Sequence, residues 1–115
     1  MLQVEVCDGY VLLKLVGRLD GVTMEVVERS FVDILADGYR HYVIDLSQLD
    51  YISSAGLRAM LFMIKKSKAA DGRLALCQLK PAVQEIFDLS AFSTIFAIFN
   101  CMDEAVAYVL SPTGG

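Results

Sequence analysis

The rhythm of apolar and polar positions changes several times along the chain. Val4-Glu5-Val6 alternates, and Tyr10 to Val16 is largely apolar, so both read as strands around Asp8-Gly9. An Asp-Gly pair between two such runs predicts a tight hairpin turn. Gly17-Arg18-Leu19-Asp20-Gly21 is expected to end the second strand. The period then lengthens to that of a helix, with Val22, Val26, Val27, Phe31, Ile34 and Leu35 on one side. Asp20 or Thr23 can cap its start, and Gly38 offers the left-handed stop. Tyr42 to Leu46 reads as a strand buried on both faces, followed by a polar loop from Ser47 to Ser53. Ser54 opens a second helix striped by Leu57, Met60, Leu61 and Ile64. Ala59, Phe62 and Met63 spread its apolar surface over most of the circumference, which suits deep packing or a face reserved for a partner. Asp71-Gly72 closes it.

Arg73 to Leu79 is the next predicted strand. Pro81 stands where proline favours the first turn of a helix, which carries Val83, Ile86 and Phe87 and stops near Leu89-Ser90. Ile95 to Phe99 reads as a last strand, and Asp103-Glu104 opens a last helix through Val106, Val109 and Leu110. The order β-β-α-β-α-β-α-β-α predicts one α/β domain over residues 1–110: a mainly parallel sheet with an N-terminal β-hairpin and four helices, predominantly on one side. Residues 111–115 read as a flexible tail.

Composition narrows the function. With 115 residues there is room for one core, and 56% hydrophobic against 21% charged residues excludes a disordered chain. No run reaches the roughly 18 apolar residues of a membrane span. The N-terminus lacks a basic segment followed by an apolar one, so a cytoplasmic protein without membrane insertion is expected. A formal charge of −4 argues against nucleic acid, which requires a concentrated basic surface. Lys65, Lys66 and Lys68 fall late in a predicted helix, where they complement its dipole.

Candidate chemistry is sparse. Cys7, Cys77 and Cys101 are far apart and read as reduced thiols, no ligand spacing for a metal exists, and the single His41 reads as a strand-edge residue. There is no G-x-S-x-G elbow, G-x-G-x-x-G turn or phosphate-binding loop. The expectation is therefore a binding protein with no catalytic residues, cofactor or metal. The informative stretch runs from Ile44 to Leu57, where Ser53-Ser54 stands at a helix start after a strand and a loop. Free N–H groups and the positive end of the helix dipole favour an anion there, although either serine can also act simply as an N-cap.

The pattern Asp45-Leu46-Ser47-x-Leu49-x-x-Ile52-Ser53-Ser54-x-Gly56-Leu57 resembles the signature of STAS domains of the anti-sigma factor antagonist type. Leu15-x-Gly17-x-Leu19-Asp20-x-x-Thr23 and Pro81-x-Val83-x-x-Ile86-Phe87-x-Leu89, followed by Phe92, extend the likeness over essentially the whole chain. The resemblance implies a STAS-type fold and a switch. The unphosphorylated protein binds an anti-sigma factor that is also a serine kinase, phosphorylation at Ser54 releases it, and a metal-dependent serine phosphatase resets it. It implies a partner-binding surface of Asp20, Ser53, Ser54, Gly56, Leu57 and Arg58. Where the family often has an acid before the phosphorylated serine, this chain has Ser53, a second candidate acceptor. The alternative within the family is a non-phosphorylated subunit or scaffold of a larger assembly, such as a lipid-transport ABC system.

Overall fold

The computed structural model describes residues 2–111; of the expected tail, residues 112–115 lie outside the described residues. Among the described residues, five strands and four α-helices follow one another as β1 (Leu2–Val6), β2 (Val11–Leu19), α1 (Thr23–Ala36), β3 (Tyr42–Ile52), α2 (Ser54–Ala69), β4 (Leu74–Cys77), α3 (Pro81–Leu89), β5 (Ala97–Phe99) and α4 (Met102–Val109), with a 3₁₀ turn at Phe92–Thr94. The sheet order is β1-β2-β3-β4-β5. Only the β1–β2 hairpin is antiparallel; the other three pairings are parallel. The hairpin turns at Asp8-Gly9 as expected: the Cys7 N–H donates to the Tyr10 carbonyl at 2.9 Å, and Gly9 takes a φ of +89°.

Each parallel crossover steps to the next neighbour in the same direction. Right-handed crossovers that all step one way place their helices on one face. Accordingly α1, α2 and α3 share the larger core, built on Val11, Leu13, Leu15, Tyr42, Ile44, Leu74 and Leu76 together with Phe31, Met60, Met63 and Phe87. The alternate strand residues Leu12, Val43, Ala75 and Cys77 face the other way and receive Ala105 and Val109 of α4. Helix α2 is the deeply packed one: Leu57, Ala59, Met60, Met63, Ile64 and Ser67 are all buried. Its unusual apolar circumference is thus explained by burial.

Two boundaries differ from the sequence reading. Strand β2 does not end at Gly17 but runs on to Leu19, and β3 continues through the segment read as a polar loop, to Ile52. The cause is irregular pairing. Between Lys14↔Asp45 and Val16↔Gln48, and again between Gly17↔Leu49 and Arg18↔Tyr51, β3 carries one residue more than β2. These bulges reset the side-chain alternation, so Leu46, Leu49 and Ile52 all reach the same core although they are three apart. At the first bulge the Asp45 carboxylate accepts from the Ser47 N–H at 2.9 Å. Gly17 supplies a φ of +89° opposite the bulged region. Two other strands are shorter than expected: β4 is limited to Leu74–Cys77 and β5 to Ala97–Phe99.

Candidate functional site

The extension of β2 and β3 brings their C-terminal ends together with the starts of α1 and α2. The contact centres on one backbone group, the Leu19 carbonyl. It accepts from the Ser53 N–H at 3.0 Å and lies 3.5 Å from the Ser53 hydroxyl. Gly56 packs against the same oxygen: a Cβ built there would sit 2.4 Å from Leu19 O and 2.8 Å from Ile52 Cγ1. A side chain at position 56 would therefore push the first turn of α2 away from β2. Leu57, next to it, is 8% exposed and belongs to the core.

Ser53 is the N-cap of α2. Its backbone is extended, with φ −94° and ψ 176°, and its Oγ accepts from the Gly56 N–H at 3.1 Å. The Ser53 carbonyl takes the Leu57 N–H at 2.9 Å. Ser54, the first helical residue, is exposed, and its hydroxyl has no hydrogen bond among the described residues. With Gly56 and Leu57 paired to Ser53, the amides of Ser54 and Ala55 are the donors left at this helix start. Arg58 is exposed four residues further on, on the same side of the helix as Ser54.

Asp20 organises the neighbouring start of α1. Its Oδ1 accepts from the N–H groups of Val22 at 3.0 Å and Thr23 at 3.1 Å, and from the Thr23 hydroxyl at 3.2 Å. The N–H groups of Thr23 and then Val22 hold its carboxyl below the usual range, with Arg18 and the Thr23 hydroxyl contributing. The same Thr23 hydroxyl lies 2.8 Å from the Arg18 carbonyl, so its one proton is shared between the two acceptors, the carbonyl being the nearer. The loop is close to α2: a Cβ on Gly21 would lie 4.0 Å from Ala55 Cβ.

Of the sequence-named positions, Asp20, Ser53, Ser54 and Arg58 offer polar groups at this end of the sheet, while Gly56 and Leu57 set its framework. Asp45 is 6% exposed and turned to its own backbone, and the exposed Asp50 is paired with Lys80. The structure adds three residues that the motif did not indicate. Arg18 lies over the Tyr51 ring at 4.3 Å from its centroid and meets Asp20 at 3.3 Å, while Val22 is 81% exposed. Their proximity depends on the continued β2–β3 pairing, which hydrophobic periodicity had hidden.

No groups of three or more candidate ligands occur among the described residues, and no described helix is long and apolar enough to cross a membrane. His41 lies at the opposite end of the sheet, where its Nδ1 accepts from the Arg73 N–H at 3.1 Å. Burial pushes the Cys77 thiol up to about 12, with Asp45 and Cys101 adding to the effect.

The arrangement defines a mixed α/β domain whose candidate site is built around a helix start. Residues 1–105 match the STAS domain family, and the chain belongs to it. It is 40% identical over 100 residues to BtrV of Bordetella bronchiseptica, a protein named as an anti-sigma factor antagonist, covering 87% of this chain and 86% of that protein. Among solved structures, a Thermotoga maritima protein also named as an anti-sigma factor antagonist superposes with a TM-score of 0.89 at 22% identity, covering 94% of this chain and 93% of that one. The anti-sigma factor antagonist SpoIIAA in its unphosphorylated form gives 0.84 at 20% identity, covering 98% and 99%. The last two likenesses establish the fold.

Proposed function

We propose that this protein is an anti-sigma factor antagonist that binds an anti-sigma factor with serine kinase activity, and that phosphorylation of Ser54 turns the binding off. A metal-dependent serine phosphatase would restore the active form. The observation that carries the reading is the division of labour between adjacent serines. Ser53 is engaged with Gly56 and Leu19, whereas Ser54 is exposed and its hydroxyl has no partner among the described residues. Serine at position 53 also preserves what an acid would do there, since both are favoured N-caps. SpoIIAA, which shares the fold, is known in unphosphorylated and phosphorylated forms.

A phosphate at Ser54 adds about −1.5 to −2 charges. The helix start, through the amides of Ser54 and Ala55, and Arg58 one turn on provide favourable local electrostatics. In an interface the same charge costs desolvation and repels nearby acids, of which Asp20 is the relevant one. Weakening by about 2.8 kcal/mol corresponds to a hundredfold loss of affinity.

The test uses the cognate kinase and ATP. Wild type and Ser53→Ala should be labelled and Ser54→Ala should not; labelling lost only in Ser53→Ala overturns the assignment. In calorimetric titration against the same kinase, Ser54→Asp should bind more weakly than Ser54→Ala, and phosphorylated protein more weakly still. Equal affinity of phosphorylated and unmodified protein would remove the switch.

A further inference from the structure

The two edges of the sheet are unequal. β5 is only three residues long. β1 has five residues and no proline or lysine, and its outer backbone groups make no hydrogen bonds to other described residues. Edge strands without such blunting are templates for pairing with another chain. The helix layer also stops short of this edge. In the register of the hairpin, Leu2, Val4 and Val6 pair with Leu15, Leu13 and Val11, so they share the face covered elsewhere by α1, α2 and α3. Yet Val4 is 45% and Val6 56% exposed, and Val26 on the flank of α1 is 58% exposed. Between Leu2, at the start of β1, and Val26 runs an apolar groove of about 220 Å³, lined also by Leu15, Val16, Leu19 and Val27, with Arg18 and Thr23 at one end.

We propose that the protein self-associates through this edge, two copies pairing β1 antiparallel about a two-fold axis normal to the sheet. That symmetry keeps each residue on the same face in both copies and allows pairing only around a residue that meets itself. Centred on Val4, all five residues pair: Leu2 with Val6 of the second copy, and Gln3 with its Glu5. A centre at Glu5 would instead oppose two carboxylates, which is unfavourable. The chosen register therefore matches apolar residues with apolar ones and sets each Glu5 carboxylate opposite the neutral amide of Gln3, which can donate to it.

The helix layer fits as well. From β2 of one copy to β2 of the other there are three strand spacings, about 14 Å. Packed helices lie about 8 to 10 Å apart. The larger separation across the seam keeps the two α1 helices from clashing, and the exposed Val4 and Val6 of both copies lie together on the floor of the gap between them, with Val26 at its rims. Because the strands run antiparallel, the two Ser54 sites lie at opposite ends of a ten-stranded sheet, and neither is blocked.

Sedimentation of the full chain from low micromolar to several hundred micromolar should show a reversible monomer–dimer equilibrium. Val4→Lys, at an exposed position, should weaken it by tenfold or more while circular dichroism stays native. In a Cys7→Ser, Cys101→Ser background, Val4→Cys should form a disulfide dimer under mild oxidation, since self-paired Cα atoms about 4.5 to 5.5 Å apart are within disulfide reach. Val6→Cys should not, because its partner is Leu2. A monomer at every concentration, a dimer unaffected by Val4→Lys, or cross-linking at position 6 rather than 4 would overturn the proposal.

Discussion

The two ends of α2 are held by the same device and put to different use. At its C-terminal end, Gly72 packs so closely on the Arg40 carbonyl that a Cβ would lie 1.9 Å from the oxygen, and the Ser67 hydroxyl donates to that carbonyl at 2.9 Å. At its N-terminal end, Gly56 packs on the Leu19 carbonyl and Ser53 meets it with its N–H and hydroxyl. Each end therefore pairs a glycine and a serine with one backbone oxygen of another element. The closed end uses its serine completely, Ser67 being fully buried. The open end has a second serine, one residue along, that the anchoring does not need. A chemical group can be presented with precision when its immediate neighbours do the structural work.

This contrast predicts a graded series. Gly72→Ala should have the largest effect, destabilising by about 3 kcal/mol or more, because neither backbone can move aside cheaply. Gly56→Ala should follow at about 2 to 4 kcal/mol and should also slow phosphorylation of Ser54, because α2 must shift relative to β2. Urea unfolding of both variants checks the order; a cost below 1 kcal/mol for Gly56→Ala would break the proposed equivalence of the two ends.

The serines should separate next. Ser67→Ala removes a buried hydroxyl and its hydrogen bond, an expected loss of about 1 to 2 kcal/mol. Ser53→Ala removes an N-cap, about 1 kcal/mol. Ser54→Ala should change stability by no more than about 0.5 kcal/mol, as expected of an exposed site, while abolishing phosphorylation. If Ser54→Ala were as costly as Ser53→Ala, the assignment of structural and presented serines would fail.

The smallest effect concerns pH and belongs to the closed end alone. Burial, followed by the charges of Arg40 and Arg73, lowers the pKa of His41 below its ordinary 6.5. Its Nδ1 also accepts from the Arg73 N–H, which requires a free lone pair. The folded state therefore prefers neutral His41, and below pH 6.5 the unfolded chain binds more protons. Stability from this residue is present above pH 6.5 and declines as pH falls toward the lowered folded value. His41→Gln should flatten that part of a pH-dependent urea series without altering Ser54 labelling at neutral pH. An unchanged slope would remove His41 as its source.

Much of the architecture was legible from local signals. The Asp8-Gly9 turn, the Gly38 stop, Pro81 at the start of α3 and the alternation of strands with helices each depend on residues close together in the chain. The course of β3 after Leu46 was not, because Leu46, Leu49 and Ile52 repeat every three residues and match no simple strand. Their common burial arises from two bulges that exist only when β2 is paired alongside. The motif also gathered residues of unlike purpose. Position in the sequence could not distinguish Ser53, Ser54, Gly56 and Leu57, which are anchoring, presented, closely packed and buried respectively.

By itself, then, the sequence determined the class of fold, the family and the place of the candidate site, since hydrophobic period, turn chemistry and a contiguous motif are local properties. Tertiary structure decided which serine is committed and which is available. That distinction rests on the Gly56 N–H that Ser53 caps and on the Leu19 carbonyl, 34 residues before Ser53 in the chain, a partner supplied only when β2 and β3 lie side by side.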